Sequence, residues 1–252
     1  MPTTLLIDGD IIAYKVAAAC EEAVDWGNDF WTLHADAMEG KAQVDTAIAD
    51  LKENLKATEA ELFLSGKKNF RHDLFEDYKA NRKTVRKPMI LPALREHLLE
   101  KWSASIEEGI EADDLIGIAA TSPEANGSIV VSVDKDFKAI PCKLYNPDKP
   151  ELGVEDITEG AADRHHMFQT LVGDSSDNYK GCPSVGPVKA NKILDDCDGA
   201  EEIWEAVLKN FDKAGLSSKH ALVQARLARI LRHGEYDFET RKVKLWQPTK
   251  QK

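Results

Sequence analysis

Acidic side chains are the residues of this sequence whose spacing most directly suggests chemistry. Asp174 and Asp177 lie three residues apart, directly before a glycine-rich segment that runs from Gly181 to Gly186. Carboxylate oxygens suit a divalent cation, and backbone N–H groups at a tight turn or helix start suit a phosphate. A segment that offers both predicts a protein that holds a nucleic-acid backbone beside metal ions.

Further acids follow the predicted strands. Apolar runs predict buried strands at residues 5–7, 61–64 and 129–133, with weaker candidates at 104–106 and 143–145. Ligands of an open parallel sheet bind beyond the carboxyl ends of its strands, so acids placed there should converge. The acids that end these strands or open the next helix are Asp8, Glu111, Asp113, Asp114, Asp134 and Asp136.

A less specific interpretation exists for each acid taken alone. Glu111 and Asp113 would stabilise a helix N-terminus through the helix dipole, and Asp134 would suit a turn at a strand end. Convergence changes this, because two carboxylates about 4 Å apart repel by about 4 kcal/mol at an effective dielectric of about 20. A cluster therefore needs cations, and hard oxygen ligands favour two Mg²⁺ or Mn²⁺ ions suited to phosphodiester hydrolysis.

The order of the predicted elements indicates an α/β fold. Short strands alternate with helices predicted at 11–20, 35–56, 93–102 and 111–120, which is typical of a mainly parallel central sheet flanked by helices. Residues 25–33 predict a loop or short hairpin, residues 69–83 a basic helix, and residues 246–252 a frayed tail. Beyond about residue 160 the pattern is almost entirely helical, so we predict two regions, 1–160 and 161–252.

Charge is distributed unevenly along the chain. The net charge is −11, yet the segment 67–101 has ten basic and five acidic residues. A basic segment in an acidic protein suits a phosphate path that leads to a metal centre. The sequence shows no signal peptide and no apolar run long enough to span a bilayer, which predicts a cytoplasmic location without a membrane partner.

Other kinds of site have little support in the sequence. The four cysteines show no C-x-x-C pair and no histidine at zinc spacing, so we interpret them as reduced thiols: Cys20, Cys142, Cys182 and Cys197. His72, His165 and His166 lack a readable catalytic partner, which favours solvated or structural roles.

Five blocks together resemble the flap endonuclease/5′-exonuclease family. They are LLIDGD, FRHDLFEDYKANRK, EADDLI, VSVDKDF and LVGDSSDNYKGCPSVGPVKANKIL, and they occur in family order from position 5 to position 194. The size and the absence of a polymerase domain are most similar to free-standing phage-type 5′→3′ exonucleases. The resemblance implies a PIN-like core, host-cell cytoplasm as the location if the chain is phage-encoded, and a basic helical arch or clamp near residues 67–101.

The resemblance also implies roles for individual residues. The metal-ligand positions of the family fall on Asp8, Glu111, Asp113, Asp114, Asp134, Asp136, Asp174 and Asp177. The block that grips the 5′ end and the scissile phosphate contains Arg71, Tyr78, Lys79 and Arg82, with Lys83 and Arg86 as further DNA contacts. The segment 181–194 resembles a helix–hairpin–helix that binds duplex backbone, commonly with K⁺, through Gly181, Ser184, Gly186, Lys189 and Lys192. Taken alone, these segments also suit a solvated basic helix and a plain helix–helix turn.

One position departs from the family pattern. The family usually has an acid at the end of its second strand, where this sequence has Ser65 or its neighbours. We hypothesise that one metal ion is held with fewer direct protein ligands, and that Asp10 is the nearby acid that could compensate.

The sequence thus predicts a metal-dependent 5′→3′ nuclease that acts on duplex or branched DNA, releases 5′-phosphorylated products and works as a monomer. RNA in RNA–DNA hybrids is a further substrate that the resemblance implies. Two alternatives remain open at this point: a DNA-binding module that has lost catalysis, for which Ser65 is the support, and a PIN-like ribonuclease. Binding without turnover would favour the first, and an RNA-versus-DNA comparison would decide the second.

Overall fold

A six-stranded sheet forms the centre of the protein in a computed structural model that describes residues 3–248. Its strand order is β5-β4-β1-β6-β7-β8, and all neighbours are parallel except β7 and β8. The strands are β1 (Thr4–Asp8), β4 (Glu59–Asn69), β5 (Ser105–Gly109), β6 (Ile129–Val131), β7 (Cys142–Tyr145) and β8 (Val154–Ile157). The predicted α/β architecture with a mainly parallel sheet is confirmed.

Helices cover both faces of this sheet. The helices of the described residues are α1 (Gly9–Ala19), α2 (Ala37–Asn54), α3 (Arg71–Leu74), α4 (Leu91–Lys101), α5 (Ala112–Ala120), α6 (Glu159–Val172), α7 (Pro187–Asp195), α8 (Gly199–Lys213) and α9 (Ser218–Ala228). On one face Leu5 and Ile7 pack with apolar residues of α1, α2 and α4. On the other, Leu6 and Val130 pack with α5 and with Ile230 of the C-terminal segment. Burial of both faces explains why the central strands are continuous apolar runs.

β1 occupies the middle of the sheet and sets the position of the site. Its last residue, Asp8, pairs in register with Phe63 of β4, and Ile7 pairs with Val131 of β6. The chain leaves β1 and β6 at the same edge, so Asp8 and the residues after Val131 are brought together there.

The segment 69–83 is not the helix that its pattern predicts. Only the short α3 and a single 3₁₀ turn, Ala80–Arg82, form within it. Phe75 is extended, with φ −154°, and Lys79 is left-handed, with φ 53°, so a continuous helix is broken twice. The side chains of this segment bind the acids of the site and the loop at 174–178, and those contacts outweigh helical propensity.

Two small antiparallel hairpins lie outside the main sheet. The first, β2 (Glu22–Asp25) with β3 (Trp31–His34), agrees with the loop or hairpin predicted at 25–33. The second, β9 (Tyr236–Asp237) with β10 (Lys242–Val243), is not apparent from the sequence pattern.

The later helices share a core of their own. Leu171, Val207 and Phe211 are buried among α6, α7, α8 and α9. Trp246 packs edge-on against Trp204 and His166, which corrects the expectation of a frayed tail at its beginning, and residues 249–252 lie outside the described part. Among residues 3–248, no helix is both long and apolar enough to cross a bilayer.

Candidate active site

Three predicted metal ligands converge at the carboxyl edge of the sheet. Asp8 ends β1 and caps α1 by accepting from the Ile11 amide at 3.1 Å. Burial raises the pKa of Asp8 to about 6, and repulsion from Asp134 adds to the rise. Burial also raises the pKa of Asp113 well above its usual range, with repulsion from Asp8 and Asp134 adding to it. These carboxylates are near enough to repel one another, as convergence requires.

Asp136 extends this group toward α6. Its backbone N–H donates to the Asp134 carboxylate at 2.9 Å, so one turn positions both acids. Burial raises the pKa of Asp136 to about 7, and Asp134 again adds to the rise. Gln169 of α6 donates to Asp136 at 2.6 Å and is only 4% exposed. The sequence analysis did not identify Gln169, because a single amide in a helix carries no motif.

Asp174 faces the same group from the loop after α6. Its carboxylate accepts from the Ser176 amide at 2.7 Å and from Lys135 Nζ at 2.8 Å. Burial opposes ionisation, yet the hydrogen bonds from Lys135 and Ser176 lower the pKa of Asp174 overall. Lys135 also lies 3.6 Å from Asp136, so this lysine spans the two acids.

Lys79 connects two further predicted ligands, Glu111 and Asp177. Its ammonium group pairs with Glu111 and lies 3.6 Å from Asp177. The Tyr78 hydroxyl donates to Asp177 at 2.7 Å and lies 3.1 Å from the Glu111 carboxylate. Burial raises the pKa of Glu111, but the positive charge of Lys79 lowers it by more. The resulting pKa of Glu111 is about 2. A lysine thus lies between acids delivered by α5 and by the 174–178 loop.

Arg82 joins the basic segment, residues 67–101, to the 174–178 loop through hydrogen bonds. Its guanidinium donates to Asp177 at 2.6 Å and to the Ser176 carbonyl at 3.1 Å. Asn81 donates to the Ser175 carbonyl at 2.9 Å, and the Lys79 amide donates to the Asp177 carbonyl at the same distance. The segment that was expected to bind substrate is therefore hydrogen-bonded to Asp177 and to its loop.

Asp114 and Arg71 form a buried pair next to Glu111, whose carboxylate lies 3.4 Å from the Arg71 guanidinium. Asp114 is fully buried and accepts from both terminal nitrogens of Arg71, at 2.7 and 2.8 Å. The Leu231 amide donates to the same carboxylate at 3.1 Å. Arg71 also donates to the carbonyls of Leu227 and Arg229. Both side chains are buried, Arg71 at 3% exposed, and pair with each other, and their expected roles as metal ligand and substrate contact stay predictions.

The Arg71 pair leads to a prediction about stability. We expect Arg71→Ala to lower the free energy of unfolding by about 3–5 kcal/mol, because it leaves the buried Asp114 carboxylate without its charged partner. Arg164, paired with Asp195 at the surface, is the matched control, and Arg164→Ala should cost about 0–1 kcal/mol. Urea unfolding measures both, and equal losses for the two variants would contradict the assignment.

The carboxylates fit divalent cations in their chemistry. Within residues 3–248, no three carboxylates, histidines or cysteines close around one point tightly enough to hold an ion. Lys79, Arg82 and Lys135 are paired with the acids instead. The donors are all hard oxygens, and those of Asp8 and Asp113 are buried together against mutual repulsion, which a cation would relieve.

Ser65 has a structural role at the position where the family usually has an acid. Its hydroxyl accepts from the Ala112 amide at 3.0 Å, at the start of α5. Its own amide donates to Asp10 at 2.8 Å, and Arg95 pairs with Asp10. Asp10 is thus committed to Ser65 and Arg95, which argues against the idea that it replaces the missing acid.

The hairpin predicted at 181–194 is a turn followed by α7. Gly181 has φ +63°, and a Cβ there would lie 2.4 Å from the Gly173 nitrogen. Its amide donates to buried Gln224 at 2.8 Å, so Gly181 shapes the turn and is not free to meet a phosphate. Gly186, which precedes Pro187, has open space around it.

The other predicted DNA contacts lie at the surface. Ser184, Lys189 and Lys192 are exposed around the start of α7, and Lys189 Nζ lies 3.3 Å from the Ser184 carbonyl. Lys83 is exposed, and Arg86 is paired with Glu21. These side chains, apart from Arg86, have no ion-pair partner within the described residues.

Comparison with known proteins finds relatives that match most of the chain. The model of the "5'-3' exonuclease, N-terminal resolvase-like domain" family matches residues 3–155. The exonuclease of Escherichia phage T7 is 29% identical over 283 aligned positions, covering 97% of this chain and 93% of that protein. The flap endonuclease Xni of Shewanella sediminis is 34% identical over 50% of this chain and 54% of its own length.

A solved structure shows the same fold. The phage T5 D15 protein, co-crystallised with metal ions, has a TM-score of 0.60 at 16% identity, covering 90% of this chain and 89% of its own. Because the family model matches more than half of the sequence, the chain belongs to the 5′–3′ exonuclease family and is a 5′–3′ nuclease of the phage type.

Proposed function

We propose that this enzyme hydrolyses phosphodiester bonds of duplex or branched DNA from the 5′ end, with two Mg²⁺ or Mn²⁺ ions, and releases 5′-phosphorylated products. The observation that carries the proposal is the convergence of Asp8, Asp113, Asp134 and Asp136 beside the Lys79 ammonium group. The DNA and metal ions in a T5 flap endonuclease complex support the same substrate class.

The four acids would hold the ions, which would supply a hydroxide nucleophile and stabilise the leaving oxygen. Lys79 would place positive charge near the phosphate as negative charge develops there. Burial opposes the charge of Lys79, but Glu111 and Asp177 raise its pKa overall, so the side chain stays cationic. Tyr78 positions Glu111 and Asp177 through its hydroxyl.

The surface residues would bind the substrate. We assign Lys83 and Arg86 to the incoming 5′ end, and the open backbone at Gly186, with Ser184, Lys189 and Lys192, to the duplex. Such contacts fix position and read no sequence. The same proposal includes a K⁺ ion at this turn and a duplex-binding role for the region 161–252. It also includes action as a monomer and cleavage of RNA in RNA–DNA hybrids.

Metal binding should depend on pH through the buried acids. An acid whose pKa is raised in the folded state stabilises the fold while it is protonated. That stabilisation is lost as the pH rises from the unfolded-state pKa through the folded-state pKa. For Asp8 and Asp136 the loss falls between about pH 4 and pH 7. We expect the melting temperature in EDTA to fall across this window, and Mg²⁺ to raise it more at pH 8 than at pH 5. Asp136→Asn should weaken the pH dependence, and an equal Mg²⁺ effect at both pH values would contradict this explanation.

Ser65 offers a test of metal occupancy. We expect Ser65→Asp to tighten Mg²⁺ binding, because it adds a carboxylate beside the start of α5, next to Asp113. Isothermal titration with Mg²⁺ measures the change, and Ser128→Asp at a distant turn is the control. An unchanged titration would show that this position does not contribute to the site.

Product lengths test the substrate class. A 5′-flap substrate and a blunt duplex, each carrying a 3′ label, should both be shortened from the 5′ end in Mg²⁺. Parallel RNA–DNA hybrid substrates test the primer-removal part of the proposal. Cleavage of single-stranded RNA without action on any duplex would favour a ribonuclease instead.

A further inference from the structure

A groove lies between the end of β4 and the C-terminal hairpin formed by β9 and β10. We propose that this groove binds a single-stranded segment of nucleic acid, with phosphates held by Lys67, Lys68, Arg241 and Lys242. The groove has a volume of about 590 Å³. We call it the basic groove. The identity of the partner as nucleic acid depends on the proposed function, whereas the location of the groove does not.

Two separate parts of the chain form its walls. Residues 67–74, which end β4 and include α3, form one wall, and residues from Tyr236 to Leu245 form the other. The hairpin wall is joined to the sheet by Glu107 of β5, which accepts from the Tyr236 hydroxyl at 3.3 Å and lies 3.5 Å from Arg241 Nε. The wall from the C-terminal hairpin is therefore attached to the sheet and does not hang free.

The lining combines positive charge with apolar surface. Lys67, Lys68 and Lys242 are exposed, and the Arg241 side chain is 70% exposed despite its contact with Glu107. Among the described residues that line the groove, Asp73 is the one acid. A local excess of positive charge in a chain of net charge −11 is a specific feature, because the average surface of this protein repels phosphates.

Each wall of the groove carries an aromatic residue. On the hairpin wall this is Tyr236, which is 6% exposed and packs edge-on at 4.9 Å against Phe238, a neighbouring ring that is 53% exposed and lies outside the lining. Phe70 lines the opposite wall and is half-buried under the Arg71 guanidinium. Grooves that combine basic rims with aromatic rings are the usual way in which proteins bind single strands without sequence preference.

One ring contact connects the basic groove with the candidate active site. His72 lines the groove and packs edge-on against Tyr78 at 5.7 Å. Tyr78 in turn donates to Asp177, so the groove begins one side chain away from the acids. A strand that leaves the site could follow this route, and the small volume suits one strand better than a duplex.

Charge reversal on the hairpin tests the proposal with a matched control. Lys242 lines the basic groove, whereas Lys244, two residues later, lines a different cavity. We expect Lys242→Glu to weaken binding of a fluorescein-labelled oligothymidylate by about tenfold, with the log–log salt slope smaller by about 0.7. Lys244→Glu should leave both values within about twofold of the unaltered enzyme. Fluorescence anisotropy in EDTA measures them, and a gel verifies that the oligonucleotide stays intact.

Photocrosslinking gives an independent readout. An oligonucleotide that contains 5-iododeoxyuridine should crosslink to peptides from residues 67–74 and 236–243. Equal effects of the two charge reversals, no effect of Lys242→Glu, or crosslinks confined to other peptides would each overturn the proposal. Duplex cleavage is assayed in parallel: its absence from the unaltered enzyme would refute the proposed function, while the binding and crosslinking results would still decide on the groove.

Discussion

Asp134→Ala should reduce cleavage of duplex DNA by at least about 10³-fold at saturating Mg²⁺. Asp134 interacts with three other acids of the site. Its negative charge contributes to the raised pKa of each of them: Asp8, Asp113 and Asp136. Its carboxylate also accepts from the Asp136 amide at 2.9 Å and so positions a second acid. Loss of a group that both binds an ion and orients another ligand removes stabilisation of the transition state.

The same substitution should not unfold the enzyme in EDTA. Asp134 is a half-buried carboxylate that repels its neighbours, and its removal relieves that repulsion. Above pH 7 the melting temperature should therefore stay the same or rise. Asp156→Ala, on the exposed strand β8, is the matched control and should retain full activity. A rate within about tenfold of that control would contradict the assignment of Asp134.

Lys79→Ala should lower kcat by about 10²–10³-fold with a smaller change in KM. The Lys79 side chain is 19% exposed and lies between Glu111 and Asp177. Its backbone is left-handed, with φ 53°, a conformation that costs a non-glycine residue about 1–3 kcal/mol and that the surrounding contacts maintain. Such placement suits a charge that must be oriented before the reaction begins.

Controls separate this charge effect from a loss of structure. Lys79→Arg should restore part of kcat because it keeps the charge, and Lys87→Ala, an exposed lysine of the same segment, should change kcat little. Melting temperatures check that Glu111, left without its lysine, does not destabilise the fold. A fall confined to KM would show that Lys79 serves binding alone.

Part of the site follows directly from the sequence. Asp8, Asp113 and Asp134 follow apolar runs that form parallel strands or open the next helix, and the carboxyl ends of such strands meet at one edge. Their grouping is therefore predictable from where the apolar strands end in the sequence. The central sheet is predictable for the same reason, because its buried strands are continuous apolar runs.

Other features depend on contacts between residues far apart in the chain. Arg71, which pairs with Asp114, also donates to the carbonyls of Leu227 and Arg229, more than 150 residues after Arg71. The segment 69–83 has helical periodicity but follows the shape of the loop that contains Asp177. Gln169 acts on Asp136 across 33 residues. Local pattern carries no information about any of these partners.

The polarity and metal dependence of cleavage test the central claim most directly. A blunt duplex with a 5′ label, incubated in Mg²⁺, should release labelled short products first, and EDTA or Asp134→Ala should abolish their release. Label retained at the 5′ end while the 3′ end shortens, or cleavage that survives both EDTA and Asp134→Ala, would contradict a metal-dependent 5′→3′ nuclease built on these carboxylates.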